Sequence, residues 1–118
     1  MNLIDWRGSW IARASFWAAA AFAFVMAVLP HPPEVPGHPN DKVQHVLAFA
    51  VLALLGTIAF PRTRLLKLLA LLSLFGAFIE VVQLIPSLHR DSDVLDWLAD
   101  TIAVVLVLTI VRWRRSLA

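Results

Sequence analysis

The chain has no cysteine among its 118 residues. Disulfides, zinc knuckles and a thiol nucleophile are therefore excluded, and the redox compartment is left open. Charge is also scarce: 15% of residues are charged, against ~25% in an average soluble domain. Nucleotide motifs are missing too. There is no P-loop, no GxGxxG, and no exposed aromatic platform for single-stranded nucleic acid. There is no HExxH and no internal repeat, and low complexity is limited to alanine in the first apolar run. What remains is 60% apolar, with a mean hydropathy of +0.78. A chain this short has too much surface for a core of that size, so a soluble globular enzyme is disfavoured. A disordered tail is excluded, and there is room for one domain.

Four apolar runs account for the excess, at about residues 11–29, 43–60, 65–85 and 94–111. Each is close to the ~20 residues that carry a helix across ~30 Å of hydrocarbon. Apolar residues lie on every side of these runs without strand-like alternation, which predicts helices. Pro30, Pro61 and Pro86 end the first three, as proline removes a helical hydrogen bond and restrains the residue before it. Residues 31–40 form a stiff proline-rich loop, with Asn40 or Asp41 placed to cap the second helix. By the same reasoning Thr63 is expected to cap the third helix, and Ser92 or Asp93 the fourth. The first run has basic residues before it, as a signal peptide would. Its apolar stretch after Arg13 exceeds the usual ~7–15 residues, and no small-x-small cleavage site follows it, so we read an uncleaved first span. The expected architecture is an all-α integral membrane bundle of four transmembrane helices.

Sorting charges by side gives an orientation. Arg7, Arg13, Arg62, Arg64, Lys67, Arg112, Arg114 and Arg115 fall on one side, and Lys42 and Arg90 on the other. The positive-inside rule then places both termini in the cytoplasm. The basic pI of about 9.9 therefore describes contacts with anionic headgroups and gives no support to nucleic-acid binding. Trp6, Trp10, Trp97 and Trp113 lie near span ends, as an interfacial aromatic belt requires.

The acids are distributed in the opposite sense. Asp5 alone is on the basic side, while Glu80, Asp96 and Asp100 lie inside the outward halves of spans three and four. At 1.5 Å per residue, Glu80 and Asp100 sit at similar depths of about 8 and about 9 Å. Ser73, Gly76, Glu80 and Gln83 are spaced to share one helical face, as are Asp93, Asp96, Asp100 and Ala103, and Asp41, His45 and Ala48. Three stripes thus converge on one outward-opening polar pocket. Intramembrane acids usually face the bundle interior, pair, and mark function. The repulsion among these acids must be offset by a shared proton, a bound cation, or Lys42, His45 and Arg90.

Structural roles compete for the same residues. Asp93 and Asp41 suit helix caps, Lys42 suits snorkelling to headgroups, and His45 suits a satisfied interfacial histidine. Glu80 with Gln83, and Asp96 with Asp100, suit interhelical hydrogen-bond clamps. Arg90 suits a solvated loop charge. His31, His38 and His89 have no nameable partner.

Taken together, Asp41-Lys42-x-x-His45 opening a span, Glu80-x-x-Gln83, Arg90, and Asp96 with a polar residue four positions on resemble the VanZ-like family of small bacterial membrane proteins. The similarity runs over about residues 40–111, with the first span alike only in position. Family members usually carry Asn at the position of Asp100 and glycines at those of Ala103 and Val107. The resemblance implies a four-helix protein of the bacterial cytoplasmic (inner) membrane and, through the family's namesake in teicoplanin resistance, a role at the cell envelope. It implies no established reaction.

Three functions fit these readings. The first is an envelope protein whose pocket binds a lipid-linked or cell-wall precursor group, with Lys42 and Arg90 on phosphate. The second is a membrane hydrolase or transferase with Glu80 or Asp100 as base, His45 as acid and Arg90 holding an anionic leaving group. The third is a partner subunit whose polar cluster only joins helices. A divalent cation on His45, Glu80, Asp96 and Asp100 suits either of the first two, and this oxygen-rich set favours Mg, Mn or Ca.

Overall fold

A computed structural model of the chain describes residues 7–29, 41–88 and 93–117. These residues form α1 (Trp10–Val28), α2 (Asp41–Ala59), α3 (Leu65–Val82) and α4 (Val94–Ser116), with a 3-10 turn at Pro86–Leu88. The helices have 19, 19, 18 and 23 residues. All four are long and apolar enough to cross a membrane. Much of the apolar surface faces outward: Trp17, Phe22, Leu47, Leu74 and Ile102 are all exposed. Such a surface suits hydrocarbon and would aggregate in water. The fold is that of a multi-pass membrane protein.

In lipid, helices gain little from burying apolar side chains, so close approach through small residues matters more. Ala12, Ala27, Ala53, Ala59 and Ala103 are buried accordingly. The central helix is α2, which packs on α4 and α1 and contributes Phe49 and Leu52 to the core. Gly76 on α3 lies where an added Cβ would stand 3.4 Å from both Phe49 and Trp97. Gly8 adopts φ 73°, a conformation that glycine takes without steric cost. That turn lets its N–H donate to the Ile58 carbonyl at 2.9 Å.

The last contact fixes one end of the bundle. The start of α1 meets the end of α2, Arg13 lies 5.6 Å over the Phe60 ring, and Arg115 reaches the Thr57 carbonyl at 3.5 Å. The start of α2, the end of α3 and the start of α4 form the opposite end. Consequently α2 and α4 run parallel, and α1 and α3 run against them.

Helix ends depart from expectation in three places. Arg64, and not Thr63, is the N-cap of α3, and it makes no side-chain cap hydrogen bond. Thr63 is held in the preceding turn, its N–H donating to Phe60. The third helix stops at Val82, three residues before the end of its apolar run, because Gln83 and Leu84 turn the chain ahead of Pro86. The fourth continues to Ser116, past residue 111, because arginine is a good helix former. Asp93 caps α4 as expected, accepting from the Leu95 N–H at 2.9 Å. The loop of residues 30–40 and the cap candidate Ser92 lie outside the described residues.

Candidate functional site

The polar residues of three helices meet where α2 and α4 begin and α3 ends. Helical spacing places His45 four residues after Asp41 on α2, and Asp100 four residues after Asp96 on α4. Because α2 and α4 are parallel neighbours, these two steps descend side by side. The result is a pair of contacts stacked along the helices. In the upper one, Lys42 Nζ lies 3.5 Å from Asp96 Oδ1 and 4.0 Å from Asp93 Oδ2. In the lower one, His45 Nδ1 lies 3.4 Å from Asp100 Oδ2.

The two differ in access. Lys42's side chain is 46% exposed, whereas those of His45 and Asp100 are 10% and 2% exposed. The lower pair is thus removed from water, and a charge there is tolerable only with a partner. With Asp100 ionised, the His45 Nδ1–H donates to it, fixing the ring and leaving Nε2 as its second functional atom. Asp100 Oδ1 is buried and accepts no hydrogen bond among the described residues.

Glu80, also buried, turns to a different task. Its Oε2 accepts from the Asp93 backbone N–H at 2.9 Å. Asp93 is therefore tied to α3 through its N–H, to its own helix through Oδ1, and to Lys42 through Oδ2. This fastens the end of α3 to the start of α4.

Gln83 does not join the stripe expected of it. It is the C-cap of α3 and only 3% exposed, and its Nε2 donates to the Ala27 carbonyl of α1 at 2.9 Å. Its Oε1 has no partner among the described residues. The clamp reading suits Gln83, although the helix it grips is α1. Trp97 is likewise more than an interfacial anchor: its indole N–H donates to the Ser73 carbonyl at 3.0 Å. Ser73 and Thr101 hydroxyls lie 3.0 Å apart across α3 and α4. Thr101 was not anticipated, although its four-residue spacing from Trp97 puts both on one face.

Among the described residues, no group of three or more His, Asp or Glu side chains is arranged to hold a metal ion. Of the four ligands considered, His45 and Asp100 touch, Asp96 faces Lys42, and Glu80 faces the Asp93 backbone. Arg90, His31, His38 and His89 and the side chain of Asp41 lie outside the described residues.

A family model described as VanZ/LLP1 matches residues 6–115, and so takes in α1 as well as the motif-bearing helices. No curated protein and no solved structure matches the chain. The chain belongs to the VanZ/LLP1 family.

Proposed function

Starting from that membership, we propose that the protein resides in the bacterial inner membrane with both termini in the cytoplasm. In this reading its polar end binds the headgroup of a lipid-linked envelope precursor. The observation that carries this reading is the stacking of a half-exposed cation, Lys42, over the buried His45–Asp100 pair. An ammonium at the mouth suits a phosphate, and Arg90, between α3 and α4 in the sequence, is a second candidate cation. An unpaired buried carboxylate oxygen suits a donor group such as a sugar hydroxyl, because leaving it unmade is costly. A role in glycopeptide resistance is a further proposal that follows from the family alone.

The test is binding of a polyprenyl phosphate to the full chain in nanodiscs. Retention is expected in wild type, weakened about tenfold or more in Lys42→Met and in His45→Asn, as loss of a charged hydrogen bond implies. Equal retention by all three would overturn the reading. A reporter fused after Pro36 should be active only outside the cytoplasm.

The His45–Asp100 contact also favours a second reading, as hydrolase or transferase. A carboxylate that orients an imidazole is the arrangement used to position a general base. Release of inorganic phosphate by wild type, abolished in His45→Asn, would select this reading. A third role, as a structural partner subunit, predicts that both variants keep full function in cells while losing stability.

A further inference from the structure

A second feature lies at the opposite end, between α1 and α3. These two helices pack together less closely than α2 does on α4, α3 on α4 or α1 on α2. A groove of about 400 Å³ runs between them, walled by Phe16, Trp17 and Ala20 from α1 and by Leu68, Leu72 and Phe75 from α3, with Phe60 at the end. Thr63 and Lys67 are its polar lining residues, and both belong to the basic end. Along α3 the groove spans Lys67 to Phe75, a rise of about 12 Å. Its lips are lipid-facing: Trp17 is 63% exposed, and Leu71 is exposed beside it. The volume lies within the ~300–1,000 Å³ of ordinary ligand pockets.

The groove is long, apolar, open to hydrocarbon, and charged at one end only. Phe16, Trp17 and Phe60 meet edge-to-face at 5.2–6.4 Å between centroids, which gives it a stiff wall. Alanine at position 20 leaves the space that a larger side chain would fill. An unfilled gap of this kind forfeits dispersion contacts along its whole length. Lys67 is the cation that lines its mouth, the Arg13 guanidinium rests on the lining Phe60, and Arg62 and Arg64 flank Thr63 in the sequence. The described carboxylates, Glu80, Asp93, Asp96 and Asp100, all belong to the other half of the bundle.

We propose that this groove seats one acyl chain of an anionic phospholipid, whose phosphate rests on Lys67 with Arg13 nearby. The charge of the mouth selects the headgroup, and the apolar slot holds the chain. This site is separate from the polar end, and its test is independent of what binds there.

The experiment is native mass spectrometry of the full chain released from nanodiscs. Dioleoyl-phosphatidylglycerol and dioleoyl-phosphatidylcholine are supplied in equal amounts. Wild type is expected to retain about one phosphatidylglycerol, favoured about fivefold over phosphatidylcholine, as one cation near a headgroup implies. Ala20→Leu, which fills the slot, should lose both lipids. Lys67→Gln, on an exposed side chain that the fold does not need, should keep a lipid but remove the preference. Equal retention of the two lipids by wild type, or unchanged retention by Ala20→Leu, would overturn the proposal. So would a dimer of the chain that Ala20→Leu abolishes, because the groove would then belong to a second copy.

Discussion

Where α2 and α4 begin, Lys42 faces Asp93 and Asp96, and His45 faces Asp100. At the other end of the bundle, Arg13 lies on an aromatic ring and Arg115 reaches a backbone carbonyl, and neither has a salt-bridge partner among the described residues. The two ends carry comparable numbers of charged residues, yet use them for different work. One end joins opposite charges within the protein, half exposed at Lys42 and buried at His45 and Asp100. Among the described residues the other keeps charge of a single sign at the periphery, where anionic headgroups are the natural counterions. Substitutions should therefore be felt through the fold at the first end and through the lipid at the second.

The sharpest way to break this contrast is to leave one member of the lower pair alone. Asp100→Leu should cost about 3–5 kcal/mol, because it strands His45 in a buried site. Unfolding in mixed micelles would measure it. Replacing both residues with leucine should recover most of that loss, since an apolar pair of similar volume is often neutral. If the double variant is as unstable as the single one, the pair is held by packing and the contrast fails.

The next effect in size is the clamp to α1. Gln83→Leu removes an interhelical hydrogen bond, a change averaging about 0.6 kcal/mol in membrane bundles, with a maximum near 1.7. Hydrogen exchange should show the end of α1 loosening first. Lys42→Met should change stability by about 1 kcal/mol or less, since the cation is half exposed and screened. Its effect should appear in ligand retention instead. An effect of similar size belongs to the basic end. Arg13→Leu should cost about 0.5–1 kcal/mol through the lost cation–π contact, and the drop in melting temperature relative to wild type should vary with the share of anionic lipid more than that of any polar-end variant.

Much of this was readable in advance, and the exceptions have physical causes. All four helices lie where the apolar runs are, because only helices and closed barrels satisfy their backbone in hydrocarbon and these runs lack the alternation of barrel strands. Hydropathy marks where lipid ends, which is not where a helix must end. Hence α4 continues through Arg112, Trp113, Arg114 and Arg115. The spacing of Asp96, Asp100, Lys42 and His45 was enough to put them on facing stripes. It was not enough to say which side chain meets which, because that depends on how far each helix is rotated and displaced against its neighbour. Glu80 shows the point: its depth matches that of Asp100, yet its oxygen goes to the Asp93 backbone. Gln83 shows another, since its partner is a backbone carbonyl on α1, and a carbonyl leaves no mark in the sequence.

The unequal helix lengths have a consequence for where the protein is comfortable. At 1.5 Å per residue, the 18- and 19-residue helices are about 27–28 Å long, while the 23 residues of α4 reach about 34 Å. A hydrocarbon layer of ~30 Å is therefore slightly thicker than the first three helices are long, and α4 outreaches it only through the arginine-bearing turn beyond its apolar run. Leaflets that thin locally around α1, α2 and α3 would relieve the mismatch, and the arginine-bearing last turn of α4 would stand clear of them as a fixed post. On this geometry, shorter-chain lipids are expected to raise the melting temperature of the bundle.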